Sequence, residues 1–221
     1  MLTDYADYLI ASEETEPGIG WYYTDWLSSL SANTSQSTLE TGKNIIDGFV
    51  TECAKSCQGQ KTTLSITDLA ELEATVPEKL SAFSTDTASL IKNNDYKQVS
   101  DARANTREFA SSSKIDQIDL VNFANNLGTD EANELADVLL SAIKYNRTSS
   151  NMTNAYGLSI YFPYSRTSQV SSVTNIYEAI GMDEDYARCI QSFAGLATSG
   201  QISTGGSSSA LSSLFGDFDT S

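Results

Sequence analysis

The chain has 221 residues, of which 40% are hydrophobic, and its 29 acidic and 13 basic residues give a formal net charge of −16. That length accommodates one buried core or two small subdomains, and no apolar stretch approaches the roughly 20 residues that a membrane span needs. The negative charge argues against nucleic acid as a partner. It either attracts cationic ligands or serves solubility alone. The N-terminal residues lack the basic and apolar regions of a signal peptide.

The first part of the chain predicts two strands separated by a helix. Asp7–Ser12 is a short apolar run that is typical of a buried strand, and the acidic, turn-rich segment Glu13–Gly20 follows it. Helical spacing predicts an amphipathic helix over Leu39–Ser56, and Thr62–Ile66 predicts the second strand. The apolar residues of that helix are Leu39, Ile45, Ile46, Phe49, Val50 and Cys53.

The middle of the chain predicts a series of helices. Asp68 and Glu71 have the spacing of a capping box, and Pro77 is expected to kink or split the helix that begins there. Apolar residues at helical spacing over 118–127 predict a further helix that Gly128 ends, and Asp130 is expected to cap the next one.

The last part of the chain predicts a loop, a strand and helices. Asn146–Asn154 is expected to be a polar loop, and Leu158–Phe162 a strand that Pro163 ends. Apolar residues over 176–193 predict one or two final helices, and Gly205–Ser209 has the composition of a flexible linker, with a short apolar patch after it.

This alternation of strands and helices predicts an α/β fold. Because the apolar strands are short and continuous, we expect them to be buried on both faces. That is typical of a parallel sheet covered by helices, and it argues against a one-sided antiparallel sheet.

The residue types restrict the chemistry that this chain can perform alone. It has no histidine, which excludes a Cys–His dyad and a Ser–His–Asp triad within it. Paired carboxylates leave a glycosidase-type pair open, although nothing distinguishes one pair. With no histidine, the three cysteines are too few for a zinc site, and we interpret them as ordinary half-buried residues. The carboxylate pairs are Asp4/Asp7, Glu13/Glu14, Asp116/Asp119 and Asp183/Glu184/Asp185, and the cysteines are Cys53, Cys57 and Cys189.

The loop after the first strand is the segment with the sharpest functional interpretation. Ligands bind outside the carboxyl ends of strands in open α/β sheets, which would place Ser12, Glu13, Glu14 and Glu16 at a rim with Trp21 as a wall. Carboxylates beside aromatic rings suit a cationic side chain. The alternative is a solvated loop whose aromatic residues pack into the core.

Three segments resemble one protein family. Tyr5–Trp21 closely resembles the segment that follows the catalytic cysteine in clostripain-like cysteine peptidases. Gly157–Pro163 resembles a second signature of that family, and the helix opening Leu64–Leu69 also fits. The two signatures together are more specific than either alone.

The resemblance implies a partial caspase-like sheet flanked by helices, a helix-rich C-terminal region and a cysteine endopeptidase that cleaves after Arg or Lys. It implies an extracellular or cell-surface bacterial protein, peptide or protein substrates, and calcium dependence for some members. The family's carboxylate for a basic P1 side chain has three candidates here, Glu14, Glu16 and Asp25, with Trp21 as a pocket wall. The family's catalytic Cys and His lie upstream of the segment matched at Tyr5, so no cysteine here receives a catalytic role.

The resemblance also implies how the chain is organised. We expect residues 1–66 to be the C-terminal part of the peptidase core, 67–198 to be a helix-rich region with a strand over 157–162, and 199–221 to be a Gly/Ser-rich linker. Met1 is expected to be an internal methionine, and the residues before Tyr5 the end of a helix. The missing N-terminal half would then be a partner, and the chain alone would be inactive. The alternatives are a non-catalytic binding module and an unrelated acidic surface protein.

Overall fold

The two strands and the helix expected in the first part of the chain are present, and an additional helix, Tyr23–Ala32, lies between the first strand and the expected helix. The computed structural model describes residues 2–202. Within that range the strands are β1 (Tyr8–Ala11), β2 (Thr63–Asp68), β3 (Glu108–Phe109), β4 (Gln117–Asp119), β5 (Ile143–Thr148) and β6 (Ser159–Tyr161). The α-helices are α1 (Tyr23–Ala32), α2 (Thr38–Ser56), α3 (Leu69–Lys92), α4 (Tyr96–Ala104), α5 (Leu120–Leu127), α6 (Asp130–Ala142), α7 (Val170–Ala179) and α8 (Glu184–Thr198).

The first sheet joins β1, β2 and β5, with β2 in the centre. Both pairings are antiparallel, and Ile10 lies opposite Ile66. Helix α2 begins where the Ser37 side chain accepts a hydrogen bond from the Glu40 N–H, an N-cap. Its apolar face forms one hydrophobic cluster with this sheet, in which Phe49 and Leu64 are fully buried. The helix therefore covers one face of the sheet and leaves alternate residues of β1 exposed.

The second sheet joins β3, β4 and β6, again by antiparallel pairs. Helices α3, α5, α6 and α8 pack with it around the larger hydrophobic core. Four aromatic rings follow one another through that core, with centroid separations of 5.8, 4.6 and 4.9 Å, typical of edge and tilted packing. These rings belong to Phe83, Phe123, Phe162 and Phe193.

The α/β class and the helix-rich C-terminal region are confirmed, whereas the expected strand direction is wrong. All pairings in both sheets are antiparallel within residues 2–202. Strand β1 alternates between half-buried and exposed residues, so it is not buried on both faces. A short apolar run therefore does not distinguish a strand buried on both faces from a strand with one exposed face. In β1 the apolar residue Leu9 lies on the exposed face.

Several local expectations need correction. The expected loop Asn146–Asn154 begins inside β5, which pairs with β2. Helix α3 continues through Pro77 as one helix, so the proline does not split it. The cap of α6 is Thr129, whose hydroxyl accepts the Ala132 N–H, and the expected cap Asp130 is the first helical residue. The segment 118–127 begins as β4 before turning into α5.

Two further features concern the ends of the described range. The residues before β1 form a turn in which the Tyr5 N–H bonds the Leu2 carbonyl, not the expected end of a helix. The predicted Gly205–Ser209 linker and the patch after it lie outside the described residues. Over residues 2–202, no helix has the length and apolar character that crossing a membrane requires.

Candidate functional site

The loop that leaves β1 is anchored by the hydroxyl of Thr63 at the start of β2. Thr63 Oγ1 accepts the backbone N–H groups of Glu13 and Glu14, at 2.9 and 3.0 Å. A hydroxyl has two acceptor positions and one proton, so the Thr63 proton is donated to Ser12 Oγ, 3.0 Å away. Ser12 Oγ in turn donates to the Glu14 carbonyl at 2.7 Å. Both hydroxyls and both backbone N–H groups in this turn have partners, which fixes the direction in which the loop leaves the sheet.

Glu14 joins the loop to the second sheet. The residue is 7% exposed, and Oε1 accepts hydrogen bonds from the Thr15 N–H, the Thr15 hydroxyl and the Ala110 N–H. Oε2 lies 3.9 Å from Lys61 Nζ. One oxygen of this carboxylate is thus fully used, and the other faces a single half-exposed ammonium group.

Glu16 and Trp21 form the exposed part of the same loop. The indole Nε1 donates to Glu16, with distances of 3.2 Å to Oε2 and 3.4 Å to Oε1. Glu16 is exposed and Trp21 is half-buried. The indole thus holds the exposed carboxylate through its N–H group, while the ring itself packs against the hydrophobic cluster of α2.

Of the four sequence-predicted binding residues, the structure brings two into one depression. Glu14 and Glu16 line a cavity of about 470 Å³ together with Lys61 and the 110–113 turn. Trp21 contacts Glu16 without lining the cavity, and Asp25 lies exposed in the first turn of α1, away from it. Their roles in substrate binding stay predictions.

Behind this loop, Glu13 meets Asp119 in a buried carboxyl pair that the sequence did not predict. Asp119 is fully buried at the end of β4, where Oδ1 caps α5 through the Asn122 N–H at 2.6 Å and Oδ2 accepts the Tyr156 N–H at 2.5 Å. Glu13 Oε2 accepts the Gly157 N–H at 3.0 Å. Burial and the neighbouring Asp119 charge raise the pKa of Glu13 to about 10.

The three cysteines are buried and free, not half-buried as expected. Burial, with the neighbouring Cys57 thiol, raises the pKa of Cys53 to about 11, and burial alone raises the pKa of Cys189 to about 12. A reactive cysteine needs an accessible thiolate, so neither of these two residues has the environment of a nucleophile.

The calcium dependence that the resemblance implies stays a prediction. Calcium takes 6–8 oxygen ligands, usually with several carboxylates. Residues 2–202 contain no group of three or more His, Cys, Asp or Glu side chains placed to hold a metal ion.

The geometry defines an α/β protein with a carboxylate-lined depression beside the end of an antiparallel strand. The Clostripain family model, for peptidase family C11, matches residues 1–210, and the chain belongs to that family. No curated protein matches the chain.

Solved structures of cysteine proteases from Bacteroides are similar to this chain. A cysteine protease from B. fragilis has a TM-score of 0.50 and 18% identity, over 89% of this chain and 80% of that one. A clostripain from Bacteroides thetaiotaomicron, in complex with a peptide inhibitor, has a TM-score of 0.45 and 16% identity, over 72% and 67%. A secreted C11 cysteine protease from the same species has a TM-score of 0.48 and 18% identity, over 80% and 53%. At these identities the B. fragilis likeness shows a shared fold.

Proposed function

We propose that this chain forms part of the peptide-binding face of a cysteine endopeptidase that cleaves after Arg or Lys. Membership of the Clostripain family supports the reaction class. The single observation that carries the specificity is that Glu14 and Glu16 line the same depression beside the end of β1. A net charge of −16 also favours the approach of cationic peptides over polyanions.

Glu16 is the carboxylate best placed to receive a basic P1 side chain. It is exposed, and its only hydrogen-bond donor among the described residues is the Trp21 indole. A guanidinium binds a carboxylate through two parallel hydrogen bonds and stacks on an aromatic face. Glu14 contributes negative charge at the base of the depression, where Oε2 faces Lys61. A neutral P1 side chain in this place would leave the carboxylates unpaired, which is the source of discrimination.

The proposal assigns the nucleophile and the general base to residues outside this chain. The chain has no histidine, and Cys53, Cys57 and Cys189 are all buried. It supplies the strand and loop beside the reaction centre, the carboxylates for P1 and the helical region that supports them. We propose an extracellular or cell-surface location for the protein, as the resemblance implies.

The test uses the protein as its gene encodes it, including any residues that adjoin this chain. Matched fluorogenic peptides with Arg, Lys or norleucine at P1 are compared by kcat/KM, and we expect a strong preference for the two basic residues. Glu16→Gln should lower kcat/KM for Arg by about tenfold or more, the scale of losing a hydrogen bond to a charged group. Asp137→Asn, an exposed carboxylate on α6, is the matched control. Equal rates for norleucine and Arg would reject the specificity.

One different function is favoured by a specific observation. The absence of histidine and the burial of all three thiols suit a non-catalytic module that binds basic peptides with the same loop. The same experiment distinguishes the two. A binding module would bind an Arg peptide, and lose that binding in Glu16→Gln, without turnover in the complete protein.

A further inference from the structure

The carboxyl groups of Glu13 and Asp119 face each other between the loop that follows β1 and the second sheet. Together they have fewer hydrogen-bond donors than carboxyl oxygens. Asp119 accepts the Asn122 and Tyr156 N–H groups, one on each oxygen. Glu13 Oε2 accepts the Gly157 N–H. Glu13 Oε1 is buried, and no donor among the described residues reaches it. The Glu13 carboxyl group lies within hydrogen-bond reach of the Asp119 side chain.

No cation neutralises this pair within the described structure. The charged groups on the elements packed around it are engaged elsewhere: Glu14 with Lys61, Asp68 at the start of α3, Arg107 with Thr153, Glu108 and Asp116 with Arg103, Lys144 with Glu71, and Arg147 with Asp47. Two ionised carboxylates in contact and without a cation repel strongly in a buried place. The arrangement is stable when one proton lies between them.

The donors decide which group holds that proton. Asp119 has an N–H donor on each oxygen, which stabilises its ionised form. Glu13 has a donor on Oε2 alone, so Oε1 is free to carry the proton and donate it to Asp119. Burial raises the pKa of both carboxyl groups, and backbone N–H groups oppose that effect at both. The two differ in their mutual contact, because Asp119 raises the pKa of Glu13 whereas the hydrogen bond from Glu13 lowers that of Asp119.

We propose that Glu13 and Asp119 share one proton, and that this carboxyl–carboxylate hydrogen bond is a latch that positions the Glu14–Gly18 loop against the second sheet. Glu13 directly precedes Glu14, and the N–H groups of both residues bond the Thr63 hydroxyl. The position of the Glu13 side chain therefore sets where the loop begins. Loss of the proton makes both groups anionic and separates the loop from the 155–158 segment. Glu13 is thus a positioning residue. Its effect on peptide binding rests on the function proposed above.

The proton itself is tested by infrared spectroscopy on protein with isotope-labelled glutamate carboxyls. Near neutral pH, a protonated glutamate carboxyl band should be present in the wild type and in Asp137→Asn, and absent from Glu13→Gln. This readout does not require peptidase activity, so a protein without turnover that shows the band retains the latch and loses only the proposed function. Identical spectra for wild type and Glu13→Gln would overturn the proposal.

The positioning role is tested by KM for an Arg peptide, because the guanidinium does not titrate in this range. As pH rises from about 7 to about 10, KM of the wild type should rise about twofold more than that of Glu13→Gln, because about half of the molecules have then lost the shared proton, while kcat changes alike in both. Glutamine keeps an acceptor for Gly157 and an N–H donor for Asp119, so it should restore the low KM that Glu13→Ala loses. The same KM–pH profile in wild type and Glu13→Gln would overturn the role.

Discussion

Arg103 and Asp116 form an ion pair that is almost completely removed from water, with Arg103 Nη2 lying 3.5 Å from Asp116 Oδ1. Arg103 is 1% exposed and Asp116 is fully buried. The guanidinium also donates to the Phe162 carbonyl and to Glu108, and it lies over the Tyr164 ring. The Asp116 carboxylate accepts two backbone N–H groups, those of Ser165 and Arg166. The pair therefore ties α4 to the chain that leaves β6.

Breaking this pair should be strongly destabilising. A buried ion pair gains little over a hydrophobic replacement, but breaking one by removing a single partner costs about 3–5 kcal/mol. Without Asp116, the buried Arg103 keeps Glu108 alone. The Ser165 and Arg166 N–H groups also lose their acceptor. We expect Asp116→Ala to lower the free energy of unfolding by that amount, measured by denaturant unfolding. Lys97→Ala, which breaks the exposed Lys97–Asp101 pair, is the control and should change it little. Equal effects of the two variants would contradict this prediction.

The sequence predicted the elements with strong local signals. Helix α2 has an N-cap at Ser37 and a regular apolar face, and Gly128 ends α5 with a φ of +70°, the left-handed conformation that favours glycine. Strand β5 was missed because it is polar and half-buried along its whole length. Its pairing with β2 and the Arg147–Asp47 ion pair hold it, and both depend on tertiary contacts.

The candidate site was predicted only where neighbours in sequence are also neighbours in space. The loop Glu14–Trp21 lies in one segment, so its carboxylates and indole were recognised together. The buried pair was not recognised, because sequence proximity associated Glu13 with Glu14 and Asp119 with Asp116. The contact between Glu13 and Asp119 arises when the second sheet packs beside the loop, and no local pattern carries that information.

Gly157 should not tolerate a side chain. Its φ is +119°, and an added Cβ would lie 2.8 Å from the Cβ of Ser65, whose hydroxyl donates to the Gly157 carbonyl. Backbone strain and overpacking together predict that Gly157→Ala lowers the free energy of unfolding by about 2–4 kcal/mol. Gly181→Ala is the control, since Gly181 also has a positive φ but nothing within 4 Å of the added Cβ. It should cost about 1 kcal/mol from strain alone.

Stability should depend on pH through Glu13 in the direction opposite to that of a salt-bridged carboxylate. Its pKa is raised from 4.5 to about 10 in the folded protein. Between these values the folded state holds a proton that the unfolded state has lost, so the contribution is complete below about pH 4.5 and declines as pH rises.

To isolate this contribution, the free energy of unfolding is measured for the wild type and for Glu13→Gln at several pH values between about 5 and 9. The difference in unfolding free energy should fall with rising pH by up to about 1.4 kcal/mol per pH unit, the limit for one proton. Titrating groups that lie away from the Glu13–Asp119 pair are common to both proteins and cancel. A difference that stays constant, or that grows with pH, would mean that Glu13 is ionised in the folded protein.

Substitutions of Glu14 and Glu16 should have different effects, one mainly on folding stability and the other mainly on P1 specificity. Glu14 is buried and satisfies the Thr15 and Ala110 N–H groups. Removing it leaves these partly buried N–H groups unpaired, which costs about 1–3 kcal/mol. Glu16 is exposed, and its only donor among the described residues is the Trp21 indole. Its loss therefore costs little in folding.

We accordingly expect Glu14→Ala to lower the free energy of unfolding and Glu16→Ala to leave it nearly unchanged. Discrimination between Arg and norleucine at P1 should show the reverse order, because Glu16 carries the accessible charge. Asp25→Ala, at an exposed position outside the depression, should change neither quantity. Denaturant unfolding and kcat/KM ratios for the two peptides measure both effects in the same preparations. If Asp25→Ala alone reduced the Arg preference, the P1 carboxylate would lie at the start of α1. The depression would then have a different role.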